Sequence, residues 1–244
     1  MAALTALLPV VLANNQTTSS IATNSQSTTA ENNAPSSFIE FNGSDQYMMI
    51  PHHADFNITT TESFTVSCWV KRNVLEADTR FVVKRVKNNA TIKSGYELWG
   101  NGISSQFFAV NSPNNTGDHN NSVSVYSNIP GYAGEWHHIA FVIDRTAGIM
   151  YEYHNGTAVA NSGIKPIAPW ECTNTYDVLV GAGFSEEDTP NYFLNGAIGG
   201  LHFYKRALSA EEITADATAE VGPETDGLVA AYDFQNITGL RVTD

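Results

Sequence analysis

A chain of 244 residues is long enough to bury a sizeable core, either in one large all-β domain or in two small ones. Its hydrophobic fraction of 42% is ordinary, but charged residues reach only 15% against the roughly 25% of soluble domains, so the surface is rich in neutral polar groups. With 12 Lys and Arg against 25 Asp and Glu, a net charge of -13, and no basic cluster, phosphate repulsion excludes a nucleic-acid partner, and apolar stretches of about a dozen residues fall short of the roughly 20 that a membrane span needs.

Residues 1–36 carry Glu31 as their single charged side chain. From Asn14 onward they are an aperiodic mixture of Ser, Thr, Asn, Gln and Ala, which cannot build a core of its own and reads as an extended polar arm. Val11-Leu12-Ala13 satisfies the small-residue rule of signal cleavage, but no Lys or Arg precedes it and Pro9 breaks the apolar run, so a retained segment is expected.

Residues 37–244 read as one domain of short strands. Runs rich in Val, Ile, Phe, Tyr and Trp recur at Phe38–Phe41, Tyr47–Met49, Phe64–Val70, Phe81–Val83, Tyr96–Trp99, Gln106–Val110 and Ser122–Tyr126. They continue at His137–Ile143, Ile149–His154, Asp177–Val180 and Ile198–Tyr204, with turn residues such as Asn155-Gly156 between them. In the third run Phe64, Val66, Cys68 and Val70 share one face while Thr65, Ser67 and Trp69 share the other, the alternation of a sheet packed on a second sheet. One helix is legible after Leu208, with Ser209 as N-cap, Glu211 and Glu212 in its first turn, and an end before Gly222. Gly227–Phe234 reads as a last buried strand that closes a sheet edge, or else as the opening of a second, truncated module.

Several segments together resemble the laminin G-like branch of the concanavalin A-like jelly-roll superfamily. Phe38-Ile-Glu-Phe-Asn-Gly-Ser-Asp-Gln-Tyr-Met-Met-Ile-Pro51 is similar to its "F-D-G-x-D-D-Y-V-x-I-P", Ser63 to Lys71 to "F-T-V-S-x-W-V-K", and Lys84 with Gly95-Tyr96-Glu-Leu98 to "K…G-Y-x-L". Glu135-Trp136-His137-His138-Ile-Ala then resembles "E-W-H-H-V-A", Asp144 to Gly148 with His154-Asn-Gly156 resembles "D-x-x-x-G…V-N-G", and Gly196 to Ile213 resembles "G-x-I-D-E-V-R-I-Y-N-R-A-L-S-x-E-E-I". The resemblance implies an all-β, two-sheet antiparallel jelly-roll sandwich with an extended N-terminal arm and one short C-terminal helix. It does not by itself choose among lectins, adhesion modules and glycoside hydrolases.

The chemistry-bearing residues are sparse. Retaining glycoside hydrolysis needs two carboxyls about 5 to 5.5 Å apart, and the Glu-x-Asp-x-x-Glu strand that the hydrolase branch uses is missing, so the chain is read as non-enzymatic. The pairs His52-His53 and His137-His138 point to opposite faces of a strand and cannot chelate one metal as units. Whether Cys68 and Cys172 are bridged is open, with Cys68 read as a small core residue. The resemblance also raises a structural Ca²⁺: Asp45 survives from the ligand pattern, but Asn42 replaces one acidic position and Gly199-Gly200 replace the acidic pair after Ile198. For sugar recognition, Trp69 and Trp136 are read as core, while Trp99 and Trp170, with Tyr126, Tyr132 and the polar loop 114–121, are the stacking candidates.

Leu7-Leu8-Pro9-Val-Val-Leu-Ala-Asn-Asn-Gln-Thr17 resembles an "L-P-V-x-L-A-x-x-Q" stretch of tailed-phage structural proteins. The expectation is a virion surface protein, a capsid decoration or fibre, whose arm docks to capsid proteins or fellow subunits of a homo-oligomer and whose sandwich is displayed for binding cell-surface glycans or host adhesion. The alternative is a secreted bacterial carbohydrate-binding or adhesion module.

Overall fold

The computed structural model describes residues 11–13, 21–23, 34–75, 78–85, 93–102, 104–112, 122–128, 133–163, 172–184, 189–218, 221–222, 224–234 and 241–242. In chain order the strands are β1 (Val11–Ala13), β2 (Ile21–Thr23), β3 (Ser37–Asn42), β4 (Tyr47–Ile50), β5 (Phe64–Arg72), β6 (Thr79–Arg85), β7 (Lys93–Asn101), β8 (Ser104–Ser112) and β9 (Ser122–Asn128). They continue as β10 (Trp136–Asp144), β11 (Ile149–His154), β12 (Thr157–Gly163), β13 (Val178–Val180), β14 (Gly183–Phe184), β15 (Pro190–Asn191) and β16 (Asn195–Tyr204), then helix α1 (Ala210–Asp216), β17 (Leu228–Tyr232) and β18 (Arg241–Val242).

Two sheets form the sandwich that the alternation in β5 requires. Sheet A runs β18-β1-β4-β13-β6-β7-β8-β9, and sheet B runs β12-β11-β10-β5-β16-β3-β2 with β17 paired to β16; β14 and β15 make a separate small hairpin. Phe64, Val66, Cys68 and Val70 all face the space between the sheets at 2% exposure or less, where they join Ile50, Phe81, Leu98, Phe141 and Phe203 in one continuous core. Burial of such side chains at about 25 cal/mol per Å² is the main force holding the two sheets together. Cys68 and Cys172 are free thiols in this core, and burial pushes the Cys68 thiol up to about 12.

The legible turn signals are used as expected. Asn155 and Gly156, both at positive φ (48° and 78°), turn β11 into β12 with the twist that a two-residue hairpin demands. Ser209 caps α1 by accepting from the Glu212 amide while the Glu212 carboxylate takes the Ser209 amide, a complete capping box.

Several short or exposed elements depart from the reading of the sequence, β14, β15 and β18 among them. β12 carries no large apolar run and was not foreseen; it is an exposed edge, with Val159 43% accessible, so no burial pressure marks its sequence. Within the arm, β1 pairs antiparallel with β4 (Leu12 opposite Met48) and β2 with β3 (Ala22 opposite Phe38). The arm thus lays one short strand along each sheet on the side where β3 and β4 would otherwise present open edges. The last strand read from the sequence, Gly227–Phe234, is formed as β17, which runs antiparallel along β16 with Leu201 opposite Tyr232, beyond the point where β3 leaves that edge.

Candidate functional site

The two outer faces of the sandwich are built differently. On sheet B, Thr65, Ser67 and Trp69 point away from the core yet are buried, because α1 and its flanks lie over them. Ala140, Val142, Tyr153, Tyr204, Leu208 and Ile213 form a second apolar cluster there. Asp216, at the end of α1, drives a polar anchor into this cluster. Its carboxylate accepts from Ser67 Oγ at 2.5 Å, from the Tyr204 hydroxyl at 2.5 Å and from His202 Nδ1 at 2.9 Å, and His138 Nε2 stands 3.4 Å away.

His202 spans two carboxylates, its Nε2 lying 3.1 Å from Asp233 Oδ1. Burial alone would lower the His202 imidazole, but the bonds to Asp216 and Asp233 lift it to about 9. Burial would likewise raise Asp216, yet the imidazoles of His138 and His202 hold its carboxyl far below the usual range. Trp69 Nε1 completes the anchor by donating to the Ala217 carbonyl at 3.2 Å. A cavity of about 190 Å³ remains beside α1, lined by Tyr204, Leu208, Ala215 and Val221, with Arg206 tied to Glu212 at 2.7 Å across its rim.

Sheet A keeps its outer face free of any helix among the described residues. Tyr96 and Leu98 of β7 are fully buried in the core, so Glu97 and Trp99 project outward. The register then makes a row across four strands: Arg80 of β6 opposite Trp99 of β7, Trp99 opposite Gln106 of β8, and Gln106 opposite Tyr126 of β9. Tyr126 is 67% exposed.

At the other end of the row the Arg80 guanidinium stands against two rings, 4.7 Å from the centroid of Trp99 and 4.5 Å from that of Tyr192. Glu97 fixes it from below, taking Arg80 Nε at 3.2 Å and Arg85 Nη1 at 2.8 Å. Tyr192, which follows β15, sits at φ 56°, in the left-handed region a bulky residue rarely occupies, with its carbonyl accepting from the Arg80 amide at 3.1 Å. Arg80 Nη1 and Trp99 Nε1 are buried and have no hydrogen-bond partner.

A third polar group lies inside the sandwich. Glu152 of β11, fully buried, accepts a hydrogen bond from the Ser105 hydroxyl of sheet A. Burial raises its carboxyl to about 7, although Ser105 and Ser127 favour the ionised form. On the neighbouring β10, His137 Nδ1 meets His154 Nε2 at 2.8 Å, and burial with the adjacent imidazoles pushes His154 down to about 4.

Of the stacking candidates drawn from the sequence, Trp99 and Tyr126 fall in the same cross-strand row on the open face. Trp170 and Tyr132 lie outside the described residues. Trp69 is buried, but beneath α1 rather than between the sheets, and Trp136 is half-buried against Phe38 at 5.1 Å between ring centroids. Asp45 is exposed in the β3–β4 turn and accepts from Asn42 Nδ2 at 2.8 Å, while Asn42 Oδ1 takes the Ser44 and Asp45 amides, so both side chains serve the turn. A Cβ on Gly199 would lie 2.6 Å from Pro35 Cγ, which leaves no room there for an acidic side chain. Among the described residues no group of three His, Cys, Asp or Glu side chains converges at Asp45. Arg80, Glu97 and Tyr192 were not singled out in the sequence; their role emerges only from the pairing of β6 with β7 and from the return of the β14–β15 hairpin to Arg80.

A family model described as the concanavalin A-like lectin/glucanases superfamily matches residues 42–214. No curated protein matches the chain in sequence. Among solved structures, the binding domain of botulinum neurotoxin DC in complex with SialylT aligns with a TM-score of 0.59 and 15% identity, over 86% of this chain and 46% of that one. The binding domain of botulinum neurotoxin serotype G aligns at 0.55 and 16%, over 75% and 42%. A Bacteroides ovatus protein provisionally described as carbohydrate binding aligns at 0.52 and 14%, over 72% and 46%. The chain therefore spans less than half the length of these solved chains, and the likeness is one of fold.

Proposed function

Because the chain belongs to the concanavalin A-like lectin/glucanases superfamily, we propose that it is a non-enzymatic glycan-binding module that receives its ligand on the outer face of sheet A. The observation that carries this reading is the row of Trp99 and Tyr126 across the sheet face that no helix covers among the described residues. Aromatic rings on a rigid sheet stack on pyranose faces at little conformational cost, and the flanking Arg and Glu groups offer hydroxyls directed partners. Binding rather than hydrolysis is supported by the state of Glu97, whose two oxygens are each engaged by a guanidinium and so are not placed to pass a proton to a leaving group. The neurotoxin domain crystallised with SialylT and the Bacteroides ovatus protein support a glycan as the ligand class.

The setting we propose is the surface of a virion, with the sandwich displayed outward and the arm providing attachment. This rests on the Leu7–Thr17 sequence alone. Since Val11–Ala13 pairs with β4 and Ile21–Thr23 with β3, attachment is assigned to the rest of residues 1–36. Mass spectrometry of native material separates this setting from secretion: a chain beginning at Met1 or Ala2 supports it, and a chain beginning at Asn14 replaces it with the secreted adhesion module.

The binding reading is tested by a glycan screen of the full chain beside Trp99→Ala and Tyr126→Ala. Specific binding by the parent chain, reduced at least about tenfold in each variant, is the expected result. Binding that survives both substitutions would place the ligand elsewhere, and no binding to any glycan would make the sandwich a purely structural display domain.

A further inference from the structure

The open face carries a feature that aromatic stacking does not use. Arg80 Nη1 and Trp99 Nε1 lie in one stack, the guanidinium 4.7 Å from the Trp99 ring centroid, and both are buried donors without an acceptor. Neither group can accept a hydrogen bond, so each can be satisfied only by an oxygen brought to it. Leaving a buried donor unmet is costly, and unmet donors in a native fold call for an explanation.

The local charge points the same way. In a chain with a net charge of -13, the ion pairs among the described residues at this patch set two guanidiniums, Arg80 and Arg85, against one carboxylate, Glu97. A neutral hydroxyl could accept from either donor, but only an anionic oxygen pair also answers the charge, through two charge-assisted or dipole-aligned bonds.

Tyr192 stands against the same guanidinium. Its ring centroid lies 4.5 Å from it, while its backbone is held at φ 56° by the Arg80 amide on its carbonyl and by Asn191 Oδ1 on its own amide at 2.8 Å. The backbone is thus fixed and the ring is the movable part, since rotation about the side-chain bonds uncovers Arg80 without breaking either hydrogen bond.

We infer that Arg80 and Trp99 form a carboxylate subsite beside the Tyr192 ring, so that the glycan taken by this face is an acidic one, carrying a uronic or sialic acid. The inference rests on the proposed glycan-binding function and narrows it to a ligand class. The acidic sugar ring replaces or flanks Tyr192 against Arg80, its carboxylate takes Arg80 Nη1 and Trp99 Nε1, and the neutral residues of the oligosaccharide extend along the row toward Tyr126.

The test compares matched probes on the full chain by titration calorimetry: 3′-sialyllactose against lactose, and a tetragalacturonate against the same oligosaccharide with its carboxyls reduced to alcohols. In at least one pair the acidic member is expected to bind about tenfold or more tightly than its neutral counterpart, with the difference shrinking as salt rises from about 50 to about 500 mM. Arg80→Gln and Trp99→Phe should each bring the acidic member down to the neutral level. Trp99→Phe keeps the aromatic face and removes only the N–H, so it reads the subsite even where Arg80→Gln fails to fold; a thermal melt of each variant separates the two cases. Equal binding of acidic and neutral members would overturn the subsite and leave the glycan-binding function standing, as would an acidic preference that survives Trp99→Phe. Failure of every probe, neutral and acidic, together with an empty glycan screen, would overturn both.

Discussion

The two outer faces of this sandwich pose the same physical problem and solve it in opposite ways. Each exposes a row of side chains that alternate with the core. On sheet B the problem is closed internally: α1 covers Thr65, Ser67 and Trp69, and the polar atoms beneath it meet one another around Asp216. On sheet A it is left open: Tyr126 stands in solvent, Arg80 is held by stacking, and two buried donors lack acceptors. Unmet polar atoms occur on both sheets, His138 and Tyr232 of sheet B among them, so they do not by themselves separate the faces. The function is assigned to sheet A because Tyr126 is exposed there in a row with Trp99 and no described helix lies over it.

This contrast is broken most severely at Asp216. Asp216→Ala leaves His202, Tyr204 and Ser67 without their common acceptor and should destabilise the fold by about 3 to 5 kcal/mol in urea denaturation. A loss under about 1 kcal/mol would mean the anchor is not what holds α1. Ligand binding by the folded fraction should be unaffected, because no part of sheet A depends on the anchor.

A somewhat smaller effect is expected inside the sandwich. Glu152 is raised from its ordinary 4.5 to about 7, so its contribution to stability is full below pH 4.5 and is lost as pH rises through 7. The amount is about 3 kcal/mol. Glu152→Gln should flatten the fall in urea midpoint between pH 5 and pH 7.5, whereas Tyr126→Ala should leave that fall unchanged. A parent chain that gains stability over this interval would show that Glu152 is ionised throughout. His202, raised to about 9, adds a loss in the same direction at higher pH, present below pH 6.5 and gone above 9.

Removing residues 1–36 deletes β1 and β2 and opens the edges of β4 and β3. The remaining sandwich should still unfold cooperatively, losing about 1 to 2 kcal/mol, and should self-associate through the bared edges. Sedimentation alongside a urea melt reads both, and a non-cooperative melt would show that the arm is part of the fold. The smallest effect on stability is expected on the open face. Tyr126→Ala should move the melt by no more than about 0.5 kcal/mol while abolishing most glycan affinity.

How much of this was legible in the sequence follows from what each feature depends on. β5, β7, β10 and β16 could be read because their side chains alternate against a core, and α1 because Ser209 and Glu212 are local signals. β12 was invisible because an exposed edge strand of Thr, Ala and Ser is under no burial pressure, and the two strands of the arm because three residues each are too short to show a period. Trp99 and Tyr126 could be picked as solvent-facing from the period of their own strands. Their partnership could not, since it depends on the register of β8 between them, and Arg80 and Tyr192 are joined to Trp99 only by the bulge after Arg80 and the fold of the β14–β15 hairpin. The His202–Asp216 anchor was hidden for the same reason: a histidine on a strand and an aspartate at a helix end meet only when the helix is laid on the sheet.

The most direct test of the central claim is an oxidative side-chain footprint of the full chain with and without the tightest glycan from the screen. Protection of Trp99 and Tyr126, with Trp69 and Trp136 unchanged, is the predicted result. Protection of Trp136 without change at Trp99 and Tyr126 would move the ligand to sheet B and contradict the assignment of function to the open face of sheet A.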